Sequence, residues 1–446
     1  MLMRALICAL LALPLSSPAW AGERSYVLNS YGGWSEKGTV SSGWFRASRA
    51  DGRWWLVDPE GHRFLSIGVN GVQYRPEPAR GAARNPYAVS VVGKYGRRSR
   101  WAAAVVERLR QWGFNTLGTS SDPATWRQEM PYVVTLDLAG AAAMRTEQGF
   151  PDVFDPAYPR AVSQAVRRAC RGLTSDRWLL GYFTDEELPW GDAEEGSATL
   201  FAEFLGLPDG AAGRQALTSF LRTRYGSIER LNESWRTRYR DFDELGRTPQ
   251  VGSRIPAQDQ DDFLRLAAYR YFRTAYEAIR EFDEHHLILG CQFRGSAPKP
   301  VLEAVGGYVD LISLNHVGDR PDVASTARIS ELTGRPVLIS SLCLTPGEPD
   351  TGEQPENGPD QDSARRQAER FERCVEELIA LPMVVGYHWC QHADGPSRAG
   401  PNGETGRWGL VDVNDDPHPQ FVAAVAHVNG ALYLHAAAAV AEPADQ

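Results

Sequence analysis

The chain has 446 residues, a formal net charge of −9, 43% hydrophobic and 10% aromatic residues, and 13 tryptophans. This length allows two or three domains or one large barrel. The acidic balance argues against a nucleic-acid partner, because nucleic-acid-binding proteins usually carry a basic patch. The composition is typical of a globular protein, and the tryptophans fit either a large core or aromatic platforms for sugars.

The first 21 residues have the pattern of a secretory signal peptide. Arg4 precedes a short apolar stretch, and Ala19-Trp20-Ala21 matches a small-x-small cleavage site. The apolar stretch is too short to span a bilayer, and we expect no later segment to span one. The sequence therefore predicts an exported protein, periplasmic or secreted, and does not define its oligomeric state.

Six cysteines are present, and removal of the signal peptide would take Cys8 with it. The other five are widely spaced and odd in number, so a disulfide framework is not required in a chain of this length. We expect buried free thiols, with one bridge as the alternative. The alternating residues His388, Cys390 and His392 have ligand types that could bind zinc, but ordinary packing is favoured there, and neither a metal nor a cofactor is predicted.

Strand and helix signals alternate along the rest of the chain. Alternating aromatic residues over 41–60, with a turn at Asp51-Gly52, predict a β-hairpin within an N-terminal extension over 22–62. Eight short apolar runs separated by helical-period segments follow, at Phe64–Asn70, Asn115–Gly118, Tyr132–Leu138, Leu179–Glu187, Leu287–Phe293, Tyr308–Asn315, Val337–Leu342 and Val384–Cys390.

Strands separated by helices imply parallel pairing with right-handed crossovers. We therefore predict an α/β fold, a (β/α)8 TIM barrel over 63–436, with a helical insertion at 190–255 after strand 4 and a disordered tail over 437–446. A doubly wound sheet is the alternative, but no glycine-rich phosphate-binding turn follows any strand.

In a (β/α)8 barrel the active groups lie at the carboxyl ends of the strands. The predicted ends are polar or aromatic although the strands are apolar: Asn70, Asn115, Asp137, Asp185, Glu186, Glu187, Gln292, Arg294, Asn315, His316, Ser341, His388 and Trp389. A mouth lined with amides, carboxylates and a tryptophan fits a polyhydroxylated ligand.

Three carboxylates, Asp185, Glu186 and Glu187, stand together at the end of strand 4. Strand alternation predicts Asp185 and Glu187 on one side and Glu186 on the other. Clustered carboxylates raise one another's pKa, and glycosidic cleavage needs a carboxylic acid that is protonated near neutrality. A solvated acidic loop is the alternative.

The segment Gly181–Trp190 resembles the strand-4 motif of retaining glycoside hydrolases with (β/α)8 barrels, especially agarase-type and β-galactosidase-type enzymes. In that motif Asp-Asn-Glu is common, with the Glu as acid/base. Further stretches agree in order and spacing along most of the chain: Trp55–His62, Ser66–Asn70, Trp112–Gly118, Tyr225–Asn232, His286–Cys291, Gly386–Trp389 and Gly409–Asp412.

The resemblance implies that Glu187 is the acid/base, that Trp389 is a floor for a sugar ring, and that Asn315 and His316 line the site. With the strand-end argument, the predicted catalytic residues are Glu187, Glu186 and Asp185. The predicted substrate-binding residues are Asn70, Asn115, Asn315, His316, Ser341, His388, Trp389 and Glu404.

Two positions depart from the family pattern. Glu186 stands in place of the Asn, and a carboxylate cannot donate a hydrogen bond unless it is protonated. Ser341 stands in place of the strand-7 nucleophile Glu, and a serine does not form the usual glycosyl-carboxylate intermediate. No Asp or Glu lies between Glu331 and Glu348.

Three interpretations follow. The leading one is an exported hydrolase of O-glycosidic bonds in an oligo- or polysaccharide of galactan or agar type. An acid from the loop 345–362, or Glu404, would then serve as a more distant base, giving inversion through water across about 6.5–9.5 Å. The second is an inactive saccharide-binding barrel, and the third is an acid/base pair, Glu186 and Glu187, that acts on a different bond.

Overall fold

The computed structural model describes residues 26–78, 83–191, 198–245, 254–344, 361–395 and 408–441. The predicted signal peptide, Glu404 and residues 345–360 of the acid-rich loop lie outside these ranges. Within them, a small antiparallel sheet is followed by a closed eight-stranded barrel.

The N-terminal extension is a four-stranded antiparallel sheet in the order β1-β4-β3-β2. Its strands are β1 (Trp34–Gly38), β2 (Arg46–Ala50), β3 (Arg53–Val57) and β4 (His62–Phe64). The predicted hairpin is β2–β3, with Asp51 at φ 49° and Gly52 at φ 79° in its turn. Two consecutive left-handed residues form the type I′ turn that Asp-Gly favours. The extension is thus larger than the single predicted hairpin.

Eight parallel strands close the barrel. They are β5 (Ser66–Val69), β6 (Thr116–Leu117), β7 (Tyr132–Thr135), β8 (Leu179–Glu186), β9 (Leu287–Arg294), β10 (Ile312–Val317), β11 (Val337–Cys343) and β12 (Val384–Trp389). Each falls on one of the eight predicted runs, in order, so β8 is the predicted strand 4 and β11 the predicted strand 7. The (β/α)8 barrel is confirmed.

Helices connect the strands and surround the barrel. They are α1 (Pro86–Tyr95), α2 (Arg98–Gln111), α3 (Tyr158–Ala169), α4 (Ala198–Gly206), α5 (Ala212–Tyr225), α6 (Ile228–Trp235), α7 (Ala257–Phe282), α8 (Lys299–Val305), α9 (Val323–Thr333), α10 (Gln361–Ala380) and α11 (Pro419–Ala441). The predicted helical insertion after β8 contains α4, α5 and α6. The long helix α7 then returns the chain to the barrel.

The N-terminal sheet covers the amino end of the barrel. Phe45, which directly precedes β2, and Leu56 of β3 belong to one apolar cluster with inward-facing barrel residues, among them Val133, Leu180, Phe183, Leu289, Leu338 and Val385. Buried Arg53 adds hydrogen bonds to main-chain oxygens of α10, β12 and α11. Because one end is filled in this way, the opposite end, where the strands terminate, is the end available for a ligand.

The last helix differs from expectation in two ways. It continues to Ala441, into the segment 437–446 for which we predict a disordered tail. Its residues 419–439 are also long and apolar enough to cross a membrane, although half of that window is buried in the fold. Phe421, Val425 and Tyr433 of this helix lie in the core, and buried core helices share such a composition.

Cys343 at the end of β11 and Cys390 just after β12 form a disulfide. The expectation of free thiols is wrong for this pair, and correct for Cys170, Cys291 and Cys374, which are free and buried. The two bonded residues are 47 positions apart in sequence, yet adjacent strands bring their Cα atoms to 5.4 Å, within the range of a disulfide.

Replacing both bonded cysteines by serine should lower the free energy of unfolding by about 2–4 kcal/mol, because the bridge closes a long loop in the unfolded chain. Urea denaturation with and without reductant measures this. We expect reductant to destabilise the wild type by a similar amount and to leave the double variant unchanged. Equal stability of the two proteins without reductant would contradict the bridge.

Candidate active site

The interior of the barrel changes from apolar to polar toward its open end. Above the apolar cluster, polar side chains lie at inward-facing positions: Asn70, Gln292, Asn315, Ser340 and His388. Four of them are almost fully buried, with relative exposures of 6% or less. Buried polar groups need partners, so their contacts show which of them serve the scaffold.

Glu187 lies at the open end, just beyond β8. Its φ of 35° is left-handed, and this breaks the strand alternation that would have placed it on the same side as Asp185. The exposed Glu187 accepts a hydrogen bond at Oε1 from Nδ2 of Asn315 at 2.8 Å. Oδ1 of Asn315 in turn accepts from Oγ of Ser340 at 2.9 Å. Through these two hydrogen bonds, the side chain of Asn315 on β10 links the Glu187 carboxylate to Ser340 on β11.

Asp185 does not belong to this site. It is 2% exposed and turns outward to α7, where the hydroxyl of Tyr271 donates to its Oδ2. The main-chain N–H of Ala139 donates to its Oδ1 at 2.9 Å. Burial raises the pKa of Asp185 to about 7. The predicted catalytic role is therefore wrong for Asp185, because its carboxyl group points away from the barrel mouth, toward α7.

The raised pKa of Asp185 predicts a pH dependence of stability. The folded protein holds this proton more tightly than the unfolded chain, whose Asp has a pKa near 3.8, so stability falls as the pH rises from about 4 to 7. Asp185→Asn carries no such proton. From pH 5 to pH 8 the variant should therefore gain about 2–3 kcal/mol relative to the wild type. Urea denaturation at both pH values tests this, and an unchanged difference would refute it.

Glu186 faces the barrel mouth, on the other side of the strand from Asp185. Although the residue as a whole is exposed, desolvation of its carboxyl group raises its pKa, and the charges of Glu187 and Asp137 raise it further. Neighbouring carboxylates therefore do raise the pKa of Glu186, as the sequence predicts, but desolvation of its carboxyl group raises this pKa more. Asp137 lies just after β7 in a left-handed conformation, with φ 52°.

Trp389 is not a sugar floor. Its neighbour His388 faces the barrel interior, so Trp389 faces outward and is 0% exposed. Its indole N–H donates to the main-chain oxygen of Trp408 at 2.8 Å. Its ring lies 5.5 Å from Phe371 and 5.2 Å from Phe421, centroid to centroid. The prediction failed because one residue of alternation decides which face a strand residue occupies.

Two predicted asparagines serve the scaffold. Asn115 precedes β6 and lies at the opposite end of the strand, where it accepts from Ile67 N–H and donates to Leu65 O, both at 2.8 Å. Its predicted role in substrate binding is therefore wrong. Asn70 does follow β5 at the open end, but its amide bridges Ser340 O at 2.9 Å and Thr119 N–H at 3.0 Å.

Two histidines lie at the predicted positions and are neutral near pH 7. His388 is 0% exposed, with Nε2 2.9 Å from Oγ of Ser66, and burial lowers its pKa to about 3. His316 is half-buried, with Nε2 3.2 Å from Gly318 O, and burial lowers its pKa as well. Neither is placed to supply a proton as an imidazolium.

The end of β11 contains a bulge. Leu314 pairs with Ile339, but Asn315 pairs with Ser341, so one residue of β10 opposes both Ser340 and Ser341. Ser341 is half-buried at this edge. Ser340, and not Ser341, bonds to Asn315. This contact is not predictable from the sequence, because a bulge leaves no clear signal in a strand-length run.

The structure therefore brings Glu186, Glu187, Asn315, His316 and Ser341 to the open end of the barrel, with Asn70 and His388 below as buried supports. Glu404 lies outside the described residues. Within the described residues, no group of three His, Cys, Asp or Glu side chains is placed to hold a metal ion.

Comparisons with known proteins point to one group. The glycoside hydrolase family 42 model, described as beta-galactosidase, matches residues 99–316, just under half of the chain, from α2 to β10. Beta-agarase B of Vibrio sp. (strain JT0107) is 24% identical over 91% of this chain and 50% of its own length. Beta-agarase A of the same strain is 27% identical over 86% of this chain and 45% of its own length.

Among solved structures, an exo-beta-agarase superposes with a TM-score of 0.78 at 22% identity, over 92% of this chain and 68% of its own. This likeness shows the fold. The chain spans about half the length of the curated agarases that it matches. The resemblance to agarase-type and β-galactosidase-type glycoside hydrolases with a (β/α)8 barrel is therefore confirmed.

Proposed function

We propose that this chain hydrolyses O-glycosidic bonds in a polysaccharide of galactan or agar type, with Glu187 as the general acid. The observation that carries the proposal is the hydrogen-bonded chain from Glu187 through Asn315 to Ser340. It holds an exposed carboxyl group over the open end of the barrel, beside the end of β11. The similarity to agarases supports the class of substrate.

Glu187 in its acid form would donate its proton to the glycosidic oxygen while the bond from that oxygen to the anomeric carbon breaks. The charge that develops on Glu187 then falls on a carboxylate that already accepts a hydrogen bond from Asn315 Nδ2. Asn315 therefore positions Glu187 and stabilises it after proton transfer.

Ser341 determines which group attacks the anomeric carbon. A serine at the end of β11 provides no carboxylate to attack the anomeric carbon. We therefore propose that water attacks from the opposite face and loses its proton to a more distant carboxylate, which inverts the anomeric configuration. The candidates for this base are Glu404 and the acids of the loop 345–362, whose side chains lie outside the described residues.

A non-catalytic saccharide-binding barrel is the second candidate, and Ser341 is the observation that favours it. The purified protein should be incubated with a panel of algal and plant glycans, and released reducing ends should be counted. Release that is lost in Glu187→Gln supports the hydrolase. No release from any glycan, with binding that survives Glu187→Gln, supports the binding protein.

We also propose that the protein is exported. The signal pattern over residues 1–21 supports this. The disulfide between Cys343 and Cys390 adds an independent reason, because such bridges persist in oxidising compartments. Cell fractionation with detection of the full chain tests the proposal, and recovery of the uncleaved chain in the cytoplasm alone would reject it.

A further inference from the structure

A buried amide without a partner lies beside the carboxylates of the site. Gln292, near the end of β9, is 3% exposed, and its Nε2 has no hydrogen-bond partner among the described residues. Leaving such a buried donor unsatisfied destabilises the folded state. Among native proteins, an orphaned buried polar group of this kind points to a missing partner.

The strand geometry directs Gln292 into the mouth of the barrel. Leu289 on the same strand belongs to the interior cluster, whereas Cys291 belongs to the outer core between barrel and helices. Gln292 therefore faces inward. Its register partner on β8 is Glu186, and Glu186 faces the mouth because Asp185 before it is turned outward to Tyr271. The amide and the carboxyl group are thus neighbours on one wall.

The charge of this wall is negative. Asp137 and Glu187 both raise the pKa of Glu186 by repulsion, so three carboxyl groups share the region. None of the ion pairs formed among the described residues involves Glu186, Glu187 or Asp137; those pairs lie elsewhere on the molecule. A ligand that carries sulfate or carboxylate would meet repulsion from these three carboxyl groups. Arg294, exposed at the end of β9, forms no ion pair with any of them among the described residues.

A sugar hydroxyl satisfies both groups at once. Its oxygen can accept from Nε2 of Gln292, and its O–H can donate to the Glu186 carboxylate. We propose that Gln292 and Glu186 form a subsite that recognises a hydroxyl-bearing edge of an uncharged sugar ring, and that this subsite selects neutral over sulfated galactans. The inference rests on the proposed function for the class of ligand, but it does not require that the bond be cleaved.

Binding measurements on the full chain carrying Glu187→Gln test this without turnover. Isothermal titration calorimetry should compare a neutral agarose tetrasaccharide with a sulfated galactan tetrasaccharide. In this background we expect Gln292→Leu and Glu186→Ala each to weaken binding of the neutral sugar about tenfold or more. The sulfated sugar should bind the parent at least about tenfold more weakly than the neutral one.

Gln148→Leu, a change of an exposed glutamine, is the matched control and should leave the affinity unchanged. If Gln292→Leu does not fold, Gln292→Glu decides the question, since it keeps the length of the side chain and exchanges a donor for an acceptor. It should lose neutral binding as well.

Neutral binding within twofold of the parent in both the Gln292 and Glu186 variants would overturn the subsite, as would equal affinity for the sulfated sugar. A parent that binds neither tetrasaccharide also overturns it. Reducing-end release by the wild type is measured separately. If release is absent but the binding pattern is as expected, the proposed hydrolysis fails and the subsite stands.

Discussion

Glu187→Gln should lower kcat/KM on an agarose oligosaccharide by about 10²–10⁴-fold, the usual contribution of a positioned general acid. The amide keeps the size of the side chain but cannot give up a proton to the leaving oxygen. An aryl galactoside, whose leaving group needs little protonation, should lose much less. Steady-state rates on both substrates measure the two effects.

Glu36→Gln is the control for this prediction, because Glu36 is an exposed residue of β1 in the N-terminal sheet. It should behave as the wild type on both substrates. If Glu187→Gln slowed both substrates equally, Glu187 would support binding or structure rather than proton transfer. If neither slowed, Glu187 would have no role in the reaction.

The second large effect concerns stability. Trp389→Ala should lower the free energy of unfolding by about 3–5 kcal/mol, the range for removal of a buried large aromatic side chain. The ring packs against Phe371 and Phe421, and its loss also leaves the oxygen of Trp408 without its donor. Trp389→Phe should lose less, because it keeps most of the apolar contact. Urea denaturation measures both variants.

Trp54→Ala provides a comparison, because Trp54 is only half-buried and should show a smaller loss. A Trp389→Ala protein that unfolds like the wild type but no longer binds glycans would contradict the outward orientation of this ring. That result would restore its assignment as a floor for the sugar.

The barrel could be predicted from the sequence because eight apolar runs, separated by helical-period segments, have few other ways to bury themselves. The position of Glu187 at the mouth followed from the same logic, since strand ends of such barrels meet at one rim. These predictions depend on the order and length of elements, which the hydrophobic pattern records directly.

The orientation of single side chains could not be predicted in the same way. Trp389 faces outward because it lies one position along β12 from the inward-facing His388. Glu187 has a left-handed φ, and it therefore does not lie on the same side of the strand as Asp185, as simple alternation would predict. Asn115 is the first residue of its predicted run, and the two-residue strand β6 that follows it places it at the amino end of the barrel. The bridge between Cys343 and Cys390 depends on strand adjacency rather than on sequence spacing.

The missed contributors share a physical property. Ser340 and Gln292 are buried polar residues on otherwise apolar strands, and their importance lies in contacts that only the folded barrel creates. A polar residue near the carboxyl end of a predicted barrel strand is the one signal that could have drawn attention to them. That signal does place Gln292 at the end of the fifth run in the sequence analysis, although not among the predicted substrate-binding residues.

The most direct test of the proposed hydrolysis is a proton NMR time course of an agarose oligosaccharide incubated with the purified chain. The anomeric signals of the first product report both whether the bond is cleaved and with which configuration. We predict cleavage with inversion, because Glu187 supplies the proton and Ser341 provides no carboxylate nucleophile. Retention of configuration would contradict the proposed mechanism, and an unchanged spectrum in the presence of bound oligosaccharide would contradict catalysis itself.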